Sequence, residues 1–189
     1  MQLRRSFVTA SLAVALVLPL SACGAVDRIR GFDYATDSVY TPAAGTNDRS
    51  GNVDLLGAAV VAAQHGAGTL VVSLVNGDTE ASSELTGVTG TYTPTGGSAS
   101  EVTTEAFEPV EVPAKGLVNL ADTETPIVVT GDFEAGNMLV LTFTFADGQT
   151  TSFDVPVVSN FHGDWAGLDR SPGAEDVEPP ADAEAPSGH

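Results

Sequence analysis

Cysteine and positive charge are what this chain has least of. One cysteine, Cys23, stands in 189 residues, and seven Lys and Arg face 25 Asp and Glu, for a formal net charge of −18. A lone cysteine excludes an internal disulfide, a zinc-thiolate cluster and a paired-cysteine redox motif. The fold must hold by its core alone. The shortage of basic residues argues against a nucleic-acid partner, because phosphate binding needs a positive surface. Anionic lipid headgroups would repel the chain for the same reason. Catalytic signatures are also missing: there is no Gly-x-Ser-x-Gly, no His-Glu-x-x-His, no phosphate-cradling glycine loop and no Asp-rich calcium loop. Acid pairs such as Glu101 with Glu105 or Glu108 with Glu111 are near background among so many carboxylates. The expectation is a protein that is not an enzyme and carries no cofactor.

What is present begins with the surroundings of that cysteine. Arg4 and Arg5 precede an uncharged stretch from Ser6 to Ser21, which ends in small residues at Leu20-Ser21-Ala22-Cys23-Gly24. Charged start, apolar middle and small-residue end are the three parts of an export signal. Leu20 to Cys23 resembles a bacterial lipobox, which implies cleavage before Cys23 and lipidation of its sulfur. Residues 1–22 are expected to be the signal peptide. The apolar run is broken by Pro19 and falls short of the roughly 20 residues that span a bilayer. The mature chain is expected on the outer side of the cell membrane, held by acyl chains at Cys23. Its five remaining cations, Arg28, Arg30, Arg49, Lys115 and Arg170, leave it at −20 against 25 acids. Paired Arg4 and Arg5 fit either a Sec or a twin-arginine export route.

Composition divides the mature chain in three. Residues 23–50 are polar and small, and read as a tether with a root-mean-square reach of roughly 30 Å. Residues 162–189 are rich in Pro, Ala and acid, and from Ser171 onward Val177 is the only sizeable apolar side chain. Too little can be buried there to offset ordering entropy, so structure is not expected beyond Ser171. Residues 51–161 are left as one domain.

That domain reads as β-structure throughout. Met138 to Phe145 sets Leu139, Leu141, Phe143 and Phe145 on one face and Thr142 and Thr144 on the other. Asp147-Gly148 supplies a tight turn, and Phe153, Val155 and Val157 alternate on the return, with Pro156 marking an edge or a strand end. Earlier strands are expected at 55–63, 69–75, 85–93, 102–112, 117–120 and 127–130. Short strands punctuated by Gly and Pro, with no apolar stripe at helical spacing, predict a single antiparallel β-sandwich of immunoglobulin-like or cupredoxin-like kind.

Several stretches then resemble a known family. Leu74-Val75-Asn76-Gly77-Asp78-Thr79-Glu80, Leu85-Thr86-Gly87-Val88-Thr89, Val110 to Gly116 and Gly136 to Gly148 are similar to the PCu(A)C copper-chaperone domain, a cupredoxin-like sandwich. The lipobox, Gly45-Thr46-Asn47 and Asn52 to Ala58 resemble the actinobacterial LpqE-type lipoproteins, which share that domain. The resemblance covers roughly Thr46 to Val158. It implies a partner, because members of that group are accessory subunits on the outer face of the cytochrome bcc-aa3 respiratory supercomplex.

In the same family two Met and two His hold Cu(I), soft and borderline ligands suited to that ion. The strand that carries its His-x-Met reads Thr125-Pro126-Ile127-Val128-Val129-Thr130-Gly131 here, with neither ligand, and Gly90 to Pro94 holds no histidine. The family's copper site is therefore not expected. The main expectation is an accessory subunit docking on the supercomplex. The alternatives are a copper chaperone for the oxidase copper centre, built from His65, Met138 and His162, or a general cell-envelope lipoprotein. His65 in Gln64-His65-Gly66 reads as a solvent-facing turn residue, and Met138, which begins the face opposite the core phenylalanines, as a residue that packs or caps the sandwich. Phe161, His162 and Trp165 carry the candidate partner contact. Packing of Trp165 onto the sandwich end as a lid is the favoured reading, and an exposed aromatic anchor is the other.

Overall fold

The computed structural model describes residues 45–180. Residues 1–44, with the signal segment, Cys23 and most of the tether, and residues 181–189 lie outside the described residues. Ten strands are described: β1 Thr46–Asp48, β2 Val53–Gln64, β3 Ala67–Asn76, β4 Ser83–Tyr92, β5 Ser100–Thr104, β6 Val110–Val112, β7 Leu117–Asn119, β8 Val128–Thr130, β9 Met138–Phe145 and β10 Thr150–Ser159. Their order is β1-β2-β10-β9-β4-β5-β8-β3-β7, with β6 beside β4. Because β2 also pairs with β3, the sheet closes on itself into a flattened barrel or sandwich. The fold is all-β, as the alternation predicts. Among the described residues no helix is long and apolar enough to cross a membrane.

The inner faces supply the core. Leu139, Leu141, Phe143 and Phe145 of β9 all point inward, and Phe143 stacks on Phe153 at 5.3 Å between ring centres. Burial of such side chains stabilises by roughly 1.5–3 kcal/mol each. Leu55, Val60, Leu70, Val72 and Leu74 of β2 and β3 complete the same cluster with Phe133. At the β9–β10 turn Gly148 takes a φ of +85°, which a side chain would strain, and the Asp147 carboxylate accepts from the Gln149 N–H at 2.9 Å.

Four details differ from the expectations. The antiparallel arrangement holds for every pair except β10 with β2, which is parallel from Val157–Val60 to Ser159–Ala62. Pro156 sits just before β10 gains that second neighbour, where a missing N–H costs nothing on the β2 side. The single strand expected over 102–112 is two, β5 and β6, because β5 pairs with β8 while β6 lines the far end of β4. The domain also reaches past both expected limits. Asn47 of β1 accepts the Gly57 N–H at 2.6 Å, at a bulge where β2 shifts register and Gly57 has φ +65°. At the other end, residues 171–177, expected to lack structure, hold a 3-10 turn at Ala174–Asp176, with Ser171 and Ala174 buried.

Candidate functional site

β2 and β10 run side by side in the same direction, so the residues that follow them emerge together. His65 leaves the end of β2, and Asn160 to Trp165 leaves the end of β10. Met138 opens β9 opposite Pro156, at the same end of the sandwich. Strand register therefore gathers His65, Met138, Phe161, His162 and Trp165 at one pole, while Cys23 lies outside the described residues.

His65 is exposed in the β2–β3 turn as expected, and its Nε2 lies 3.2 Å from Asp132 Oδ1. Met138 lies on the face opposite the core phenylalanines, as the alternation predicts, and is left open there. It is 52% exposed and outside the core, because the register that turns Leu139 inward turns its neighbours out. Among the described residues no three of His, Cys, Asp and Glu lie together in a way that could hold a metal ion.

The Phe161–Trp165 loop is built by Asn160. Its carbonyl accepts the Gly167 N–H at 3.0 Å and its side-chain oxygen accepts the Asp169 N–H at 2.8 Å. One residue thus closes both ends of a loop that includes a 3-10 turn at Gly163–Trp165. His162 is exposed and Phe161 and Trp165 are half-buried. Neither aromatic is among the side chains packed against the core, where Tyr92, Phe107 and Phe153 are. Trp165 is half-buried, and its ring is not among the side chains packed against the core cluster.

Sequence reasoning missed the fastening behind this loop. Asp169 is 7% exposed, and its carboxylate accepts from the Ala63 N–H at 2.7 Å, the Thr69 hydroxyl at 3.1 Å and the Ser171 N–H at 2.9 Å. Asp-x-Ser is a recognisable turn pattern, which accounts for the last bond. Nothing local signals the two remote ones.

The opposite pole is acidic. A cleft of about 390 Å³ there is lined by Asp78, Glu84, Glu111 and Asp147 with Asn52 and Asn76. Glu84 and Glu111 face one another directly across β4 and β6. Buried Asn76 shapes the adjoining turn, donating to the Ala81 and Val112 carbonyls at 2.9 and 3.1 Å and accepting from the Asp78 N–H. Backbone N–H groups of Glu80 and then Ala81 hold the Asp78 carboxyl below the ordinary carboxylate range.

No family model and no curated protein matches the chain. Among solved structures, the apo PCuAC domain from PmoF1 is similar in fold, with a TM-score of 0.45, 15% identity, and 60% of this chain against 99% of that one. The copper-bound PCuAC domain from PmoF2 is similar at a TM-score of 0.46 and 15% identity, covering 60% of this chain and 98% of that one.

Proposed function

We propose that this chain is a lipid-anchored, extracytoplasmic sandwich without catalytic activity that works by docking on a protein partner through Phe161, His162 and Trp165. One observation carries the reading: two aromatic rings stay off the core on a loop fastened at both ends. A preformed loop loses little entropy on binding, and aromatic anchors dominate interface energetics. The anchor at Cys23 rests on the lipobox-like sequence. The partner, the outer face of the cytochrome bcc-aa3 supercomplex, rests on the LpqE-type resemblance.

The test is a pull-down of the tagged full-length protein from native membranes in mild detergent, read by haem spectra and mass spectrometry. Stoichiometric haem and oxidase subunits in the eluate are expected. A haem-free eluate would return the chain to the general envelope lipoproteins. The anchor has its own test: Cys23→Ser should release the protein from the membrane, and unchanged attachment would refute lipidation.

Copper carriage is the second reading, favoured by the gathering of His65, Met138 and His162 at one pole. These are borderline and soft ligands of the kind Cu(I) takes. Competition titration with a Cu(I) chelator decides it, since absence of tight binding ends the copper reading and leaves docking untouched.

A further inference from the structure

Strands β2 and β3 are apolar on both sides. Ala58, Val60, Ala62, Leu70 and Val72 belong to the core, yet the residues between them, Ala59, Val61, Thr69 and Val71, are buried as well. They face away from the core, so something else covers them. The segment that follows β10 reaches these two strands, bonding to Ala63 and Gln64 of β2 and to Thr69 of β3.

Its attachment is mostly polar and concentrated in two residues. Asp169 takes its three donors, and the buried Thr69 hydroxyl in turn accepts the Arg170 N–H at 2.7 Å. The Arg170 guanidinium donates to the Thr123 carbonyl at 2.7 Å and to those of Leu120 and Ala121 at 3.4 Å. Gln64 Nε2 adds a bond to the Pro172 carbonyl at 2.9 Å. Apolar attachment is slight: Ala174 is buried, while Leu168 and Val177 are only half so. The fit is also incomplete, because Ser171 Oγ is buried without a hydrogen-bond partner.

The same residue stands at the foot of the Trp165 loop, since the Asp169 backbone N–H is what the Asn160 side chain accepts. We propose that residues 160–177 are a latched strap that opens as one unit about Asp169, and that Asp169 is a positioning residue for the Phe161–Trp165 loop. Segments with few buried apolar contacts and a polar fastening open below the global unfolding limit, as cooperative units. The consequence for binding rests on the docking reading: opening the latch weakens docking without removing any contact side chain.

Trp165 is the only tryptophan in the chain, so fluorescence excited at the red edge, where the three tyrosines hardly absorb, reports this loop alone. The full-length protein carrying Asp169→Ala is compared with wild type by Trp165 anisotropy and by hydrogen exchange resolved by peptide, with no partner present. Expected are lower anisotropy and exchange over 163–177 faster by about 10–100-fold, with amides of β4 and β9 unchanged. Thr69→Val, which keeps the shape and removes the hydroxyl, should give a smaller change of the same pattern, and serves if the alanine variant does not fold. Unchanged anisotropy and exchange in both would overturn the latch. Parallel acceleration in β4 and β9 would overturn the strap as a separate unit. An opened latch together with undiminished haem co-elution by Trp165→Ser would leave the strap standing and remove the docking reading instead.

Discussion

The two outer faces of this sandwich solve the same problem in opposite ways. On β4, β9 and β10 the outward positions are Thr89, Thr91, Thr142, Thr144 and Ser152, with Thr142 donating to Ser152 Oγ at 3.0 Å, and the face is left to solvent. On β2 and β3 the outward positions are Ala59, Val61 and Val71, which are buried, and the strap is hydrogen-bonded to Ala63, Gln64 and Thr69 on the same two strands. A sheet with one polar face is finished once its core is packed. A sheet apolar on both faces needs a second layer, and the segment bonded to these strands has by composition almost nothing to bury. That segment stays in place through a carboxylate and a guanidinium, and through them it brings Trp165 into a fixed position.

A charge separates the two faces most sharply. Val61→Asp buries an uncompensated carboxylate at a position with no exposed surface and should cost about 3–5 kcal/mol. Val140→Asp, on the open face where Val140 is 43% exposed, should stay within about 0.5 kcal/mol. Urea unfolding of both variants reads the difference, and equal losses would break the contrast between a covered and an open face.

Next in size is the latch. Asp169→Ala strands the Ala63 N–H, the Thr69 hydroxyl and the Ser171 N–H, and should cost about 1–3 kcal/mol of the strap's own opening free energy, read by hydrogen exchange over 163–177, with the urea midpoint little changed. On the open face, Thr142→Ala gives up a solvated hydroxyl bond, and a shift above about 0.5 kcal/mol would mean that face is not the passive one described.

The smallest effect lies on neither face. Asp78 has its folded pKa depressed by backbone N–H groups, so its contribution to stability is complete above the unfolded carboxylate pKa and is lost as pH falls through the lowered folded value. The gap in urea midpoint between wild type and Asp78→Ala should therefore be present at neutral pH and close in acid. A gap that widens in acid would reverse the sign and contradict the hydrogen-bond assignment.

The difference between the faces was partly written in the sequence. Strict alternation in Leu139 to Phe145 announces one wet side, and that strand and its hairpin were legible. Gly57-Ala58-Ala59-Val60-Val61-Ala62-Ala63 and Thr69-Leu70-Val71-Val72 are unbroken apolar runs, the signature of strands buried on both faces, and they imply a cover without naming it. The strap could not be found by composition because it has little apolar content. Asp169, one acid among 25, gains its meaning from Ala63 and Thr69, which are remote in sequence. The site was legible in the same uneven way: Phe161, His162 and Trp165 stood out as rare residues, whereas the parallel pairing of β10 with β2 that brings them beside His65 is a long-range choice no local pattern encodes.

The most direct test of the docking account is the native-membrane pull-down repeated with Trp165→Ser in the full-length, correctly anchored protein, with hydrogen exchange of β4 and β9 confirming that the sandwich is intact. The account predicts that haem and oxidase subunits co-elute with wild type at stoichiometric levels and fall about tenfold or more with the variant, the loss of one aromatic anchor. Equal co-elution from both proteins would contradict it, and would mean that the Phe161–Trp165 loop is not the surface by which this protein meets its partner.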